Sequence, residues 1–317
     1  MLRVACQTAC RTASLRSAVA TAASLHTDAT VAVVGLGSMG HGIVQLAATS
    51  GYKVIGVETS AEALTHGLDA ISASLEKLAS KGKITEEEKD ATLGRISGTT
   101  SLEDVGDADL VIEAIIEDMA VKVPFYESLG KIAKADAILA TNTSSYSVNE
   151  IADASGVPSR VCGLHYFNPV QLMKLVEVVS TERTDPAITE TMMAFAKQTG
   201  KVPVKCGDTP GFVVNRLLVP YIGQAVALLA RGDASAEDID TAMQLGAGHP
   251  MGPITLADYV GLDVNLAVLE GWGSNFPDDP SYVMPEAMEL LREKVAAGDL
   301  GRKTGQGFYK WKGNKKA

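Results

Sequence analysis

The chain has 317 residues, enough for two domains of ordinary size. It is 46% hydrophobic and 21% charged, so a sizeable core can form, and its net charge of -10 argues against a surface that coats nucleic acid. The sequence holds no apolar run of the roughly 18 residues that indicate a membrane span.

Residues 1–27 differ in composition from the rest of the chain. Arg3, Arg11 and Arg16 are spread through Ala, Ser, Thr and Leu, and no acidic residue precedes Asp28. Such a leader is typical of an organelle transit peptide, although a plain disordered tail could share this composition. We expect residues 1–27 to be a mitochondrial transit peptide and the mature protein to reside in the mitochondrial matrix.

Strand and helix patterns alternate through residues 28–207. Short β-branched or apolar runs predict strands at Thr30–Val34, Tyr52–Val57, Leu110–Ile115 and Ala137–Ala140. Helices are predicted after Gly35, over Ala61–Ala79, after an N-cap at Thr85, and over Val121–Lys134. This alternation favours an α/β fold with a parallel, doubly wound, Rossmann-type sheet.

The pattern changes near Gly207, within the segment CGDTPGF. Helices are predicted over Val213–Ala230, Ala236–Leu245, Leu262–Glu270 and Pro285–Ala297. We therefore place a domain boundary at 207/208, with a mostly α-helical domain over residues 208–317.

A glycine-rich loop follows the first predicted strand and opens a helix. It consists of Gly35, Leu36, Gly37, Ser38, Met39 and Gly40, and reads G-x-G-x-x-G. In this context the motif predicts that a dinucleotide pyrophosphate rests on the helix N-terminus, although a purely structural turn could share the pattern. Glu58 ends the next strand, where a carboxylate accepts hydrogen bonds from the ribose of NAD and repels the extra phosphate of NADP. We expect NAD as the cofactor.

The run from Val161 to Val179, VCGLHYFNPVQLMKLVEVV, holds one histidine and one carboxylate in apolar surroundings. Burial of either group is costly unless it has a partner. An imidazole held by a carboxylate can move a proton near neutral pH, so His165 and Glu177 are candidate catalytic residues. From these residues alone, His165 could also be a satisfied core histidine, and Glu177 a structural ion-pair member.

The motifs together resemble the L-3-hydroxyacyl-CoA dehydrogenases, specifically the short-chain mitochondrial type. The similar segments include VAVVGLGSMGHGIVQ, ATNTSSYSV, GLHYFNPVQLMKLVEVV, DTPGFVVNRLLVPY and GRKTGQGFYKWK, and they span nearly everything after the leader. The resemblance implies an NAD-binding domain over 28–207. It also implies a helical domain over 208–317 that dimerises and binds substrate, with the active site in the cleft between them.

Individual roles follow from the resemblance. It implies that His165 is the general base, that Glu177 is its partner, and that Ser144 touches both substrate and nicotinamide. Asn215 is implied to lie near the reacting carbon. Further NAD contacts are implied for Glu117, Lys122, Asn168 and Lys303, and coenzyme A contacts for Ser74 and Lys81.

The expected activity is NAD-dependent oxidation of L-3-hydroxyacyl-CoA to 3-ketoacyl-CoA in fatty acid β-oxidation, by a homodimer that acts on acyl-CoA thioesters. Two alternatives stay open. One is a 3-hydroxybutyryl-CoA dehydrogenase restricted to short chains, and the other is a crystallin-like protein that binds NADH without turnover. The sequence shows no His/Cys/Asp cluster of the kind that a catalytic metal requires, so no metal is expected.

Overall fold

The structure is a computed structural model, and it describes residues 25–26 and 28–317. The expected transit peptide, residues 1–27, therefore lies outside the described residues apart from Leu25 and His26.

The first part of the chain forms an eight-stranded sheet with the order β3-β2-β1-β4-β5-β6-β7-β8. The strands are β1 Thr30–Val34, β2 Lys53–Val57, β3 Ile96–Thr99, β4 Leu110–Glu113, β5 Ile138–Thr141, β6 Val161–Tyr166, β7 Leu175–Ser180 and β8 Val202–Gly207. Strands β1 to β6 are parallel, whereas β7 is antiparallel to β6 and parallel to β8.

Helices cover both faces of this sheet. They are α1 Gly40–Thr49, α2 Ala61–Ser80, α3 Glu86–Leu93, α4 Met119–Ile132, α5 Val148–Ser155 and α6 Pro186–Gln198. Strand β1 shows why both faces need cover: Val31 and Val33 belong to one apolar cluster, while Ala32 and Val34 belong to another. Side chains alternate along a strand, so a strand that is apolar throughout is buried on both sides.

Five helices follow the sheet and pack around a third apolar cluster, which includes Ile222, Val226, Leu262, Leu269 and Leu291. They are α7 Val214–Ala230, α8 Ala236–Ala247, α9 Pro253–Val260, α10 Leu262–Asn275 and α11 Pro285–Ala296. A small hairpin, β9 Trp311–Lys312 and β10 Lys315–Lys316, ends the chain. The prediction of a Rossmann-type sheet followed by a helical C-terminal domain is confirmed. None of the helices over 25–26 and 28–317 is long and apolar enough to cross a membrane.

The reversal of β7 is the main departure from the predicted parallel sheet. Only residues 167–174 connect β6 to β7. A parallel connection needs a crossover of a dozen or more residues, so a link this short forces an antiparallel pair. The reversal places residues of β6 and β7 directly opposite each other, and this register builds the site described below.

Asp208 ties the segment after β8 to the start of α5. Its carboxylate accepts hydrogen bonds from the backbone N–H groups of Val148 at 2.9 Å and Asn149 at 2.8 Å, and from the hydroxyl of Ser147 at 2.7 Å. These N–H groups have no partner within the helix, and the anion also lies at the positive end of the helix dipole. Asp208 therefore caps α5 at the point where the chain leaves the sheet.

We expect Asp208→Ala to lower the free energy of unfolding by about 1–2 kcal/mol, because the first turn of α5 loses its acceptor. Urea denaturation followed by circular dichroism measures this change. Glu190→Ala, at an exposed position on α6, is the matched control. An equal effect of the two substitutions would contradict the capping role.

Candidate active site

The glycine-rich loop between β1 and α1 is shaped by close backbone contacts. Gly35 has a φ of +90°, and a Cβ there would lie 2.6 Å from the carbonyl oxygen of Ala114. A Cβ at Gly40 would overlap the carbonyl oxygen of Gly35, whereas a Cβ at Gly37 would meet nothing within 4 Å. Gly35 and Gly40 therefore allow tight packing, while Gly37 leaves the N-terminus of α1 open to an anionic ligand.

Glu58 lies directly after β2 and supports this loop. One carboxylate oxygen accepts a hydrogen bond from Leu36 N at 2.6 Å, and the other accepts one from Thr59 N at 3.1 Å. Glu58 also lines a cavity of about 440 Å³ together with Gly35 and Gly37. This cavity is on the side of the loop where the ribose of a dinucleotide is expected.

A second cavity, of about 490 Å³, adjoins the first and shares Gly37 and Ala114 with it. We call it the main cavity. Two connected cavities around one glycine-rich loop fit the two halves of a dinucleotide. The lining of the main cavity contains most of the residues that the sequence singled out: Gly37, Ser38, Met39, Glu117, Lys122, Ser144, His165, Asn168 and Asn215.

His165 and Glu177 are direct cross-strand neighbours in β6 and β7. The distance from His165 Nδ1 to Glu177 Oε2 is 2.7 Å, and both side chains are buried. The other oxygen of Glu177, Oε1, accepts hydrogen bonds from Val213 N at 3.0 Å and Val214 N at 2.8 Å, at the start of α7. A carboxylate that accepts three hydrogen bonds is stabilised in its ionised form.

Two opposing effects set the pKa of Glu177. Burial raises it, but the hydrogen bonds from His165, Val214 and Val213 and the charge of the imidazolium outweigh burial, so the pKa lies below its ordinary value. Because an ionised carboxylate can only accept, the hydrogen in this bond belongs to Nδ1 of His165. Nε2 makes no hydrogen bond to any other residue that the structure describes, and the ring borders the main cavity. The ring is held by Phe167 and Phe212, with centroid distances of 4.6 Å and 5.6 Å.

Lys122, which is buried, and Glu117, whose side chain is 37% exposed, form a second polar group beside His165. Lys122 Nζ lies 3.1 Å from Glu117 and 2.6 Å from Glu113, at the end of β4. Glu117 also accepts hydrogen bonds from Thr143 Oγ1 at 2.6 Å and Ser144 N at 2.9 Å. Burial raises the pKa of Glu117, but the charge of Lys122 and these hydrogen bonds bring it below its ordinary value. The pair therefore fixes the position of Ser144.

The serine segment after β5 contributes to both α5 and the main cavity. The N-cap of α5 is Ser147, whose Oγ accepts a hydrogen bond from Glu150 N. Ser144 instead borders the main cavity together with Asn215, from the first turn of α7. Two polar side chains from different parts of the fold thus converge near His165.

Six of the predicted site residues do not line either cavity. Leu36 and Gly40 belong to the glycine-rich loop, and Glu177 contacts His165 from outside the lining. Ser74 lies within α2, and Lys81 is its exposed C-cap residue. Lys303 follows the helical part of the chain, and its Nζ lies 2.6 Å from the carboxylate of Asp263. Within the described ranges, no group of three or more His, Cys, Asp or Glu side chains is arranged to hold a metal ion.

Sequence reasoning missed Glu113. Its carboxylate accepts hydrogen bonds from Ile115 N at 2.9 Å and Thr141 Oγ1 at 2.7 Å in addition to its contact with Lys122. The available signal was a lone carboxylate at the end of the apolar run LVIE, since a buried charge requires a partner. That partner, Lys122, could be recognised only from the packing of α4 on β4.

The depressed pKa of Glu177 has a consequence for acid stability. Because the folded protein binds this proton less readily than the unfolded chain, the ion pair contributes stability above the ordinary pKa of 4.5, and the contribution is lost as the pH falls below it. We expect the difference in unfolding free energy between wild type and Glu177→Gln to shrink from about pH 6 to about pH 3.5. Urea titrations at several pH values measure it, with the exposed Glu182→Gln as control, and a constant difference for Glu177→Gln would contradict the assignment.

Comparison with known proteins places the chain in a family. Residues 30–209 match the NAD-binding domain of 3-hydroxyacyl-CoA dehydrogenase, and residues 211–311 match the C-terminal domain of the same family. The chain is 47% identical to the mitochondrial hydroxyacyl-coenzyme A dehydrogenase of Rattus norvegicus, over 89% of this chain and 91% of the rat protein. It is 46% identical to a 3-hydroxybutyryl-CoA dehydrogenase of Clostridioides difficile, over 88% of this chain and 98% of that protein.

A solved structure gives the same result. The (S)-3-hydroxybutyryl-CoA dehydrogenase of Ralstonia eutropha superposes with a TM-score of 0.85 at 42% identity, over 90% of this chain and 99% of that chain. The matched family model is an NAD-binding domain, which agrees with the open backbone at Gly37 and the carboxylate at Glu58. The chain belongs to the 3-hydroxyacyl-CoA dehydrogenase family, and its cofactor is NAD.

Proposed function

We propose that this protein oxidises L-3-hydroxyacyl-CoA to 3-ketoacyl-CoA with NAD, in fatty acid β-oxidation, and that His165 is the general base. The observation that carries the proposal is the buried contact between His165 and Glu177 at the wall of the main cavity. Oxidation of a secondary alcohol requires one group that takes a proton and one that takes a hydride. Bound NAD supplies the hydride acceptor.

The proton moves to Nε2 of His165. Nδ1 keeps its hydrogen and donates it to Glu177, so Nε2 carries the lone pair that accepts the hydroxyl proton of the substrate. The imidazolium that results is stabilised by the adjacent anion. Reduction of the ketone uses the same groups in reverse, with Nε2 as the donor.

Ser144 and Asn215 orient the substrate. Their side chains border the same cavity as His165, and each can hydrogen-bond the reacting oxygen or the thioester carbonyl. Fixing the approach of the alcohol to Nε2 lowers the barrier by removing unproductive orientations.

The cofactor is held along the edge of the sheet. We assign the pyrophosphate to the loop from Gly35 to Gly40 and the ribose next to it to Glu58, which would repel the phosphate of NADP. Glu117, Lys122 and Asn168 border the other half of the site. The roles of Ser74 and Lys81 in binding coenzyme A, and of Lys303 in binding NAD, rest on the family resemblance.

Two other functions compete with this one. Restriction to 3-hydroxybutyryl-CoA is favoured by the relatives that carry this name. Binding of NADH without turnover is disfavoured, because the His165–Glu177 contact, Ser144 and Asn215 are all present around one cavity. Turnover of acetoacetyl-CoA and longer 3-ketoacyl thioesters with NADH separates all three.

Localisation and assembly complete the proposal. The composition of residues 1–27 and the mitochondrial names of relatives support import into the mitochondrial matrix. A homodimer formed through the helical domain is supported by exposed apolar side chains there, such as Leu217 at 70% and Leu245 at 84% exposure. Sedimentation of the purified protein tests the dimer.

We expect His165→Gln to reduce kcat by about 10²–10⁴, because the alcohol proton loses its acceptor. Reduction of acetoacetyl-CoA followed at the NADH absorbance measures kcat, and NADH titration measures cofactor affinity, which should stay unchanged. His66→Gln, at an exposed position on α2, is the matched control. Retention of turnover in His165→Gln would rule out the general-base role.

Glu177→Gln tests the orientation of the imidazole. The amide oxygen must face Val213 N and Val214 N, so the amide NH₂ faces Nδ1 and requires it to accept a hydrogen bond. The ring hydrogen then moves to Nε2, which can no longer take a proton. We expect kcat to fall by about 10³–10⁴ with little change in the affinity for NADH, since a comparable change of tautomer has that effect in serine proteases. Activity near the wild-type value would contradict the proposed tautomer.

A further inference from the structure

A third cavity, of about 190 Å³, adjoins the main cavity from the side of the helical domain. We call it the side cavity. Ser144 and Asn215 belong to both linings, so the two spaces meet at the residues that orient the substrate. A group bound at His165 can therefore extend into the side cavity.

The side cavity is built from apolar faces of two helices. Leu218 and Ile222 are one turn apart on α7, and Val264 and Val268 are one turn apart on α10. Residues four apart share a helix face, so the two helices present matched apolar surfaces across this space.

The polar side chains that line the side cavity are not arranged to bind a charged group. None of the lining residues in the described part of the chain is acidic or basic. The amide nitrogen of Asn265 is already used, because it donates to the carbonyl oxygens of Ala257 at 3.1 Å and Gly261 at 2.8 Å. The lining suits a hydrocarbon rather than a phosphate or a carboxylate.

Trp272 forms a rigid wall. It is 5% exposed, contacts Tyr282 edge-on with a centroid distance of 4.9 Å, and packs so closely on Gly211 that a Cβ there would overlap the indole. Another part of the lining is more open, because Val260 and Val264 are 42% and 43% exposed. The side cavity therefore has one fixed boundary and one boundary that faces solvent.

We propose that the side cavity binds the acyl chain of the substrate beyond C4, and that Val268 and Trp272 set how well each chain length is accepted. This inference rests on the proposed function, since it takes the reacting carbon to lie at His165. The volume of about 190 Å³ leaves room for several methylene-sized groups. Acyl chains longer than C4 then fit inside, and each buried methylene tightens binding by at most about fourfold.

The test measures kcat/KM for 3-ketoacyl-CoA substrates of four, six, eight and ten carbons in wild type, Val268→Phe and Ala267→Phe. Ala267 is an exposed neighbour on α10 outside the cavity lining, so it controls for added bulk on this helix. We expect Val268→Phe to cause a loss that grows with chain length and reaches about tenfold or more at C8. Ala267→Phe should follow the wild-type profile.

Inhibition by saturated acyl-CoA thioesters gives a second measurement that does not depend on the chemical step. Octanoyl-CoA should inhibit wild type more strongly than butyryl-CoA does. Val268→Phe should reduce the ratio of the butyryl-CoA inhibition constant to the octanoyl-CoA inhibition constant. If Val268→Phe lost the same activity at all chain lengths, or lost none, the inference would be overturned. The absence of any loss would assign the side cavity to another occupant, such as the partner subunit of a dimer. Failure of wild type to reduce acetoacetyl-CoA would instead contradict the proposed function itself.

Discussion

The buried carboxylate of Glu177 connects the two parts of the molecule. One of its oxygens holds the ring of His165 across the β6–β7 pair, and the other accepts the N–H groups of Val213 and Val214 at the start of α7. A buried anion is tolerated only when its hydrogen bonds are satisfied, and here the donors come from both the sheet and the helical domain. The candidate base is therefore correctly oriented only when α7 is docked against the sheet. The positive end of the α7 dipole adds to the stabilisation of the anion.

Two further carboxylates act in a similar way on the segment between β5 and the start of α5. Glu117 accepts the N–H of Ser144, and Asp208 accepts the first N–H groups of α5. Strands β1 to β6 are parallel, so their carboxyl ends and the loops that follow them meet at one edge, where ligands bind in folds of this kind. Each of the three anions accepts hydrogen bonds from backbone N–H groups as well as from side chains such as His165, Thr143 and Ser147. The positions of the site residues are thus tied to main-chain geometry as well as to side-chain contacts.

Local sequence patterns were sufficient for some of these features and insufficient for others. The loop from Gly35 to Gly40 and the carboxylate at Glu58 were predictable because a dinucleotide site uses fixed spacings along one βαβ unit. His165 and Glu177 were singled out because they are the one histidine and the one carboxylate in a largely apolar run, and the catalytic role proposed for them rests on the family resemblance. Their opposite positions depend on the reversal of β7, which is a property of the short connection after β6 and of tertiary pairing. Glu113 was missed for the same reason, since its partner Lys122 is brought to it by the packing of α4.

The separation of the candidate base from the side cavity suggests how substrate specificity can vary in this family. The proposed proton acceptor and its carboxylate lie on β6 and β7, whereas the side cavity is formed mainly by α7 and α10 and shares only Ser144 and Asn215 with the main cavity. Side chains such as Val268 can therefore change size without contact with His165 or Glu177. Relatives of this chain include proteins named for hydroxyacyl-CoA and others named for 3-hydroxybutyryl-CoA. With the proposed assignments, a fold that separates the chemical groups from the wall of the acyl site allows both substrate ranges with one catalytic arrangement.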